Sequence, residues 1–220
     1  MAAEGSMTPE ANAQSILRHL LEGYLSGGAP TDRRFVIAIA GPPAAGKSTL
    51  ASALVEQLGE RAGLIGMDAF HFDNVILDQR GDRERKGAPH TFDVAGYAHT
   101  LRALRSNPTI EMAVPVFDRD LDASRSAASF IGCDQPILVT EGNYLLADEE
   151  PWSALNDLFD YTVWIDVGLD VVEQRIRDRW QTAGLDSVEV EFRAEQNDLP
   201  NARWVLEHSR PADLLVKNDA

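Results

Sequence analysis

The chain is poor in cysteine, in lysine and in long apolar runs. Of its 220 residues only Cys133 is a cysteine, so an intrachain disulfide is excluded and a cytoplasmic setting is expected. No run of about 18 apolar residues occurs, which leaves no candidate membrane span. The opening residues Met1–Ser6 carry neither a basic stretch nor an apolar one and do not read as a secretory signal. Basic side chains are outnumbered: 20 Lys and Arg stand against 35 Asp and Glu, a net charge of −15. That balance argues against nucleic acid or an anionic membrane as the main partner. Lysine is scarcer still, with Lys47, Lys86 and Lys217 the only three. The other basic residues are arginines, whose planar fork suits phosphates, so clustered Arg marks where anions would bind in an acidic protein. Internal repeats and low-complexity tracts are absent too. The length suits one domain spanning 1–220, with residues 1–7 expected to be disordered.

Against this background one segment stands out. Residues 41–48 read Gly41-Pro42-Pro43-Ala44-Ala45-Gly46-Lys47-Ser48 and match G-x-x-x-x-G-K-[ST] at every fixed position. Small residues let the backbone curl so that several N–H groups face a phosphate. Lys47 would reach the outer phosphates, and the Ser48 hydroxyl, with Thr49 beside it, would stand at a Mg²⁺ ion. The chance of such a match in a chain of this length is roughly one in a hundred. Context lowers it further. Phe35–Ala40 is a short apolar run ending at Gly41, and Leu50, Ala53, Leu54 and Leu58 follow at helical spacing. Strand, glycine loop and helix come in the order that nucleotide binding requires, with Gly41 to Thr49 as the nucleotide-binding residues.

Other elements are read from the same patterns. Thr8-Pro9 opens a helix with an apolar stripe from Ile16 to Leu25, ended by Ser26-Gly27-Gly28. That helix can pack on its own domain or on a partner, which leaves monomer and homodimer both open. Strands are expected at 64–67, around 114–117 with Pro115 at an edge, at 137–140, 161–165 and 214–216. Residues 72–92 are polar and charged, too long for an ordinary connection, and read as a functional loop. Asp93 is a plausible N-cap for a helix bearing Tyr97, Leu101 and Leu104. A helix over 169–180 carries Arg175 and Arg179 one turn apart, and a helix over 188–197 is expected to break near Pro200. Alternating strands and helices define the fold class as α/β, three layers with a mostly parallel sheet.

In such sheets ligands sit at the carboxyl ends of the strands. Three acids fall at such ends: Asp68, Glu141 and Asp166. Glu141 follows a buried run and has the character of an acid that holds Mg²⁺ together with Ser48. Asp68, on the strand after the glycine-loop helix, can accept the proton of an attacking hydroxyl. Asp166 reads more simply as a helix cap. His71 is either a second polar contact to substrate or an ordinary loop histidine.

These residues resemble a known family. The glycine loop, Met67-Asp68-Ala69-Phe70-His71, the stretch Arg85-Lys86-Gly87-Ala88-Pro89-His90-Thr91-Phe92-Asp93, and Thr140-Glu141-Gly142-Asn143-Tyr144 look like the uridine kinase, type I pantothenate kinase and phosphoribulokinase family. The likeness covers roughly residues 35–216, and K-G-x-P-x-x-[FY]-D with an upstream D-x-F-H is its most specific part. It implies a P-loop kinase with ATP as donor, a small alcohol as acceptor, a five-stranded parallel sheet of order 2-3-1-4-5 and a small lid over 170–200. It also implies Asp68 as catalytic base beside Lys47, with Lys86 and Asp93 on the acceptor side and Arg175 and Arg179 in the lid. His71, Arg119 and Glu141 complete the expected acceptor surroundings. Within the family the chain is most similar to a bacterial branch linked to fructose transport, which makes a sugar such as fructose one candidate acceptor. It departs from uridine kinases, which carry P-x-Y-D-x-x-x-H-x-R where this chain has Val114-Pro115-Val116-Phe117-Asp118-Arg119. Other readings have less to stand on. The guanine-reading N-K-x-D of a GTP switch is missing, and Leu25-Ser26-Gly27-Gly28, a mimic of a transport-ATPase signature, precedes the glycine loop instead of following it. A non-catalytic nucleotide sensor would need the strand-end acids to be idle.

Overall fold

The computed structural model describes residues 8–26 and 30–218. The expected disorder of residues 1–7 and the Gly27-Gly28 stop lie outside the described residues. Five strands form one parallel sheet: β1 (Phe35–Ala40), β2 (Ala62–Gly66), β5 (Ile137–Gly142), β6 (Tyr161–Asp166) and β7 (Leu214–Lys217). Their spatial order is β2-β5-β1-β6-β7 and every pairing is parallel, which is the expected 2-3-1-4-5 among these five. Residue alternation along β1 separates the two faces. Phe35, Ile37 and Ile39 join a core with Leu50, Leu54, Val139, Val163 and Val172. Val36, Ala38 and Ala40 join another with Tyr97, Leu101, Leu104, Leu138 and Trp152. β1 is buried along its whole length, as a strand covered on both faces must be.

The first core is built with α1 (Pro9–His19), α2 (Lys47–Leu58) and α5 (Leu169–Thr182), the second with α4 (Val94–Ser106). α1 packs on its own domain: Gln57 Nε2 donates to Glu10 O (2.9 Å) and Asn12 Nδ2 to Lys217 O (3.0 Å). Its stripe does not continue as a plain α-helix to Leu25, because residues Leu20–Tyr24 form a π-turn.

Outside the sheet, β3 (Met112–Asp118) and β4 (Ala123–Ile131) make an antiparallel hairpin. Pro115 sits at its register shift, where a missing N–H does no harm. Arg34, wholly buried at the entrance to β1, holds the hairpin base. Its guanidinium donates to the carbonyls of Leu104, Asn107, Pro108, Ile110, Gly132 and Gln135 at 2.7–3.2 Å. A buried cation is tolerated here because backbone dipoles replace its water.

Two expectations need correction. Residues 72–92 are not a loop throughout: α3 (Asn74–Arg80) lies within them, started by the Asp73 side chain and stopped by Gly81 in a left-handed conformation. Short 3₁₀ turns follow at 83–85 and 89–91. Its apolar residues Val75, Ile76 and Leu77 are consecutive, with only Leu77 fully buried, so a helix of seven residues left no apolar periodicity to read. Nor does Pro200 break the C-terminal helix. α6 (Ser187–Arg193) runs into a π-turn at Ala194–Asp198 and on into α7 (Leu199–His208), with Pro200 in the first turn of α7, where its missing N–H is harmless.

Candidate active site

The parallel register brings the strand ends together. Ala40, the last residue before the glycine loop, pairs with Gly142, and Glu141 lies between Ile39 on β1 and Gly66 on β2. The loop curls because Ala44 and Gly46 both take positive φ, 59° and 89°. Gly46 is also the N-cap of α2, and Asn218 Nδ2 stands 2.6 Å from where a Cβ would be, so only glycine fits. The loop is held from behind as well. Asn218 Nδ2 donates to Ala45 O (2.7 Å), and Arg175 donates to Ala44 O (3.3 Å) and Asn218 O (2.8 Å).

Lys47 is almost fully enclosed, with its ammonium 2.8 Å from Pro42 O. Burial pushes its pKa down to about 8; the Glu141 and Asp68 carboxylates oppose that shift, and Arg179 and Arg119 add to it. Ser48 Oγ donates to Glu141 Oε1 at 3.1 Å. Burial, reinforced by the Asp68 charge, raises the Glu141 carboxyl above the usual range, while Lys47 and the Ser48 hydrogen bond act against it. Cation and anion are each pressed toward neutrality, the state expected of a clamp whose charged ligand supplies the balance.

Asp68 follows β2 in a 3₁₀ turn and faces solvent in part. Arg119, at the hairpin tip, approaches its Oδ2 to 3.6 Å. His71 is packed between the Phe92 and Phe117 rings at 4.0 and 5.0 Å. Burial lowers its pKa, so the ring is neutral at pH 7, with Nδ1–H donating to Asp68 O (2.8 Å) and Nε2 left as an acceptor.

The remaining expected residues are placed as follows. Lys86 turns to the hairpin tip, 2.7 Å from Asn74 Oδ1 and 2.8 Å from Asp122 Oδ1, with its ammonium 5.1 Å from the Phe117 ring centre. Asp93 caps α4, accepting from Gly96 N (2.9 Å). Arg179 pairs with Asp198 (2.7 Å), near enough to the glycine loop for Lys47 to feel its charge. Arg175 lies behind the loop instead of over it. Asp166 is not a helix cap; that position belongs to Gly168. Sequence reasoning did not single out Asn218, Asn197 or Asp198. Asn218 finds its partner 173 residues away, at Ala45 O, and the other two carry no pattern beyond preceding Pro200.

A curled glycine loop over a strand-end carboxylate, at the carboxyl edge of a 2-3-1-4-5 parallel sheet, defines the P-loop nucleotide-binding class. Comparison with known proteins narrows it. The model of the phosphoribulokinase / uridine kinase family matches residues 36–199, and the chain belongs to that family. It is 33% identical over 211 residues to the uncharacterized protein YggC of Escherichia coli K12, covering 94% of this chain and 86% of that one. It is 30% identical to the pantothenate kinase of Corynebacterium diphtheriae over 89% of this chain but only 61% of that enzyme. Among solved structures it is similar to a "putative fructose transport system kinase" from Silicibacter sp. TM1040, with a TM-score of 0.82, 36% identity, and coverage of 96% and 99% of the two chains. The chain is accordingly an ATP-binding kinase, a phosphotransferase that acts on the hydroxyl of a small molecule. No helix among the described residues is long and apolar enough to cross a membrane.

Proposed function

We propose that the protein transfers the γ-phosphoryl group of ATP to a small polyhydroxylated alcohol, with a sugar such as fructose as the first candidate. The observation that carries this reading is the convergence of the strand ends: Ser48, next to Lys47, donates to Glu141 Oε1, and Glu141 pairs in register with Gly66, two residues before Asp68, so donor clamp and proton acceptor stand side by side. The acceptor oxygen attacks the γ-phosphorus as the bond to the β-γ bridging oxygen breaks. The hydroxyl proton passes to Asp68, and ADP leaves. Backbone N–H groups of 41–48 hold the β-phosphate side. Lys47 stabilises charge on the transferred group, and Arg179 reaches it from the lid. Arg175, bonded to Ala44 O, preserves the loop shape. Ser48 and Glu141 are two hard oxygen donors on adjoining elements and fit Mg²⁺, which takes few protein ligands and completes its shell with phosphate and water. When bound, that ion would neutralise charge on the β- and γ-phosphate oxygens.

On the acceptor side, His71 Nε2 and Arg119 lie next to Asp68 and suit hydroxyl and anionic groups, while Lys86 and Asp93 order the segment around them. The fructose candidate is supported by the solved relative's name, and a pantothenate-type acceptor by the kinase of C. diphtheriae. A nucleoside remains the other alternative through the family as a whole. The single cysteine and the acidic surface suit a cytoplasmic enzyme. ADP release measured with sugars, nucleosides, pantothenate and ribulose 5-phosphate tests the reading. A sugar is expected to stimulate turnover; stimulation by pantothenate or a nucleoside alone would replace the sugar reading, and none by any alcohol would overturn acceptor phosphorylation.

A further inference from the structure

The π-turn between α6 and α7 ends in Gln196, Asn197 and Asp198, and these three neighbours face different halves of the site. Pro200 has no N–H for the carbonyl four residues before it, so Gln196 O is open to a side chain, and Arg85 Nη1 donates to it. Asn197 Nδ2 donates to Lys86 O (2.8 Å), and its Oδ1 accepts from Asn201 Nδ2 (3.3 Å). Asn201 Oδ1 accepts in turn from Arg85 Nη2 (3.4 Å). Asp198 turns the other way, accepting on one oxygen from Arg179 Nη2 (2.7 Å) and Trp180 Nε1 (2.6 Å). Asp198 and Asn201 are nearly buried, 8% and 3% exposed, so little water competes for these bonds. The segment at Lys86-Gly87 has a second anchor in the core, where Tyr144 OH donates to Gly87 O (2.6 Å).

A π-turn holds one residue more than an α-turn and is a point where helical register can shift. An Arg179 that reaches toward nucleotide phosphates must either leave Asp198 or draw it along, and Asn197 is covalently next in line. We propose that the π-turn at 194–198 couples the two halves of the site: nucleotide binding that engages Arg179 is transmitted through Asp198 and Asn197 to Arg85–Gly87 on the acceptor side. Asn197 and Asp198 are then positioning residues. Coupling of this kind is reciprocal, so an acceptor that orders the 83–91 segment tightens nucleotide binding equally. The inference rests on the assignment of Arg179 to the donor side made above.

Amide hydrogen exchange with and without the nonhydrolysable ATP analogue AMP-PNP and Mg²⁺ tests it without knowledge of the acceptor. In the unaltered protein the analogue should slow exchange at both 41–50 and 83–91, the latter by about fivefold, the low end of ordinary coupling between sites. Asn197→Ala should keep the response at 41–50 and lose it at 83–91. Arg85→Ala, which cuts the other tie from a half-exposed position, should weaken it in the same place and serves if the first variant does not fold. A response at 83–91 that survives in the folded variants, or that is missing in the unaltered protein while 41–50 responds, overturns the coupling. Silence at 41–50 as well overturns the donor-site assignment beneath it.

Discussion

The donor and acceptor halves of this site are built by different means. The donor half is backbone and buried side chain: a loop curled at Ala44 and Gly46, an enclosed Lys47, and Glu141 set by strand register between two neighbours. The acceptor half is mostly exposed side chain. The hairpin tip is tied to α3 by Lys86, Arg83 and Asn74 converging on Asp122, and to the catalytic region by Arg119. Buried geometry admits few substitutions, whereas exposed ion pairs contribute little stability each and can be exchanged. One fold can thus keep a single donor while its acceptor varies, and relatives bearing the names of different acceptor kinases fit that division.

The sharpest way to break the comparison is at Lys47. Lys47→Met should lower turnover by about a thousandfold, the scale of losing a preorganised charge donor at the transferred group, as read by ADP release. A loss below about tenfold would remove Lys47 from the clamp. Asp68→Asn comes next, with turnover down by about a hundredfold or more while AMP-PNP binding measured calorimetrically stays unchanged. Equal losses in binding and turnover would place Asp68 on the donor side instead.

Titration separates the halves in another way. Lys47 has a folded pKa of about 8 against an ordinary value of about 10.4, so between those limits the unfolded chain binds more protons. The penalty for burying its charge is fully present below about pH 8 and is relieved as pH rises. Without nucleotide, urea unfolding should therefore show a gain of about 2–3 kcal/mol for the unaltered protein between pH 8 and 10, relative to Lys47→Met over the same range. Parallel curves would contradict it. The smallest effect is expected at the exposed Arg119. Arg119→Ala should raise the acceptor KM by about fivefold, in line with a solvent-exposed charge, and leave AMP-PNP affinity alone. A change in nucleotide affinity instead would move Arg119 to the donor half.

How much was legible follows the same division. The glycine loop could be read letter by letter because its function lies in backbone shape, which demands glycine at fixed positions. The central strands β1, β5 and β6 were visible as apolar runs because both their faces are buried, whereas β7, at the sheet edge with Leu215 exposed, showed only as a short apolar run. α3 was missed, since its apolar Val75, Ile76 and Leu77 are consecutive and make no periodic stripe, and the π-turns were missed, since one extra residue leaves no compositional mark. Arg34 and Asn218 passed unnoticed for a further reason: their partners are carbonyls far away in the chain, which no local pattern announces.

By itself the sequence determined the parallel α/β class, the phosphate loop and the strand-end positions of Asp68 and Glu141, because these depend on local backbone demands and on burial. Tertiary structure alone decided where the long charged side chains go. It sent Arg175 behind the loop, Lys86 to the hairpin tip, Arg119 to Asp68 and Arg179 to Asp198. The flexible stems of Arg and Lys reach many partners at similar cost, and only the folded arrangement of neighbouring carboxylates and carbonyls selects among them.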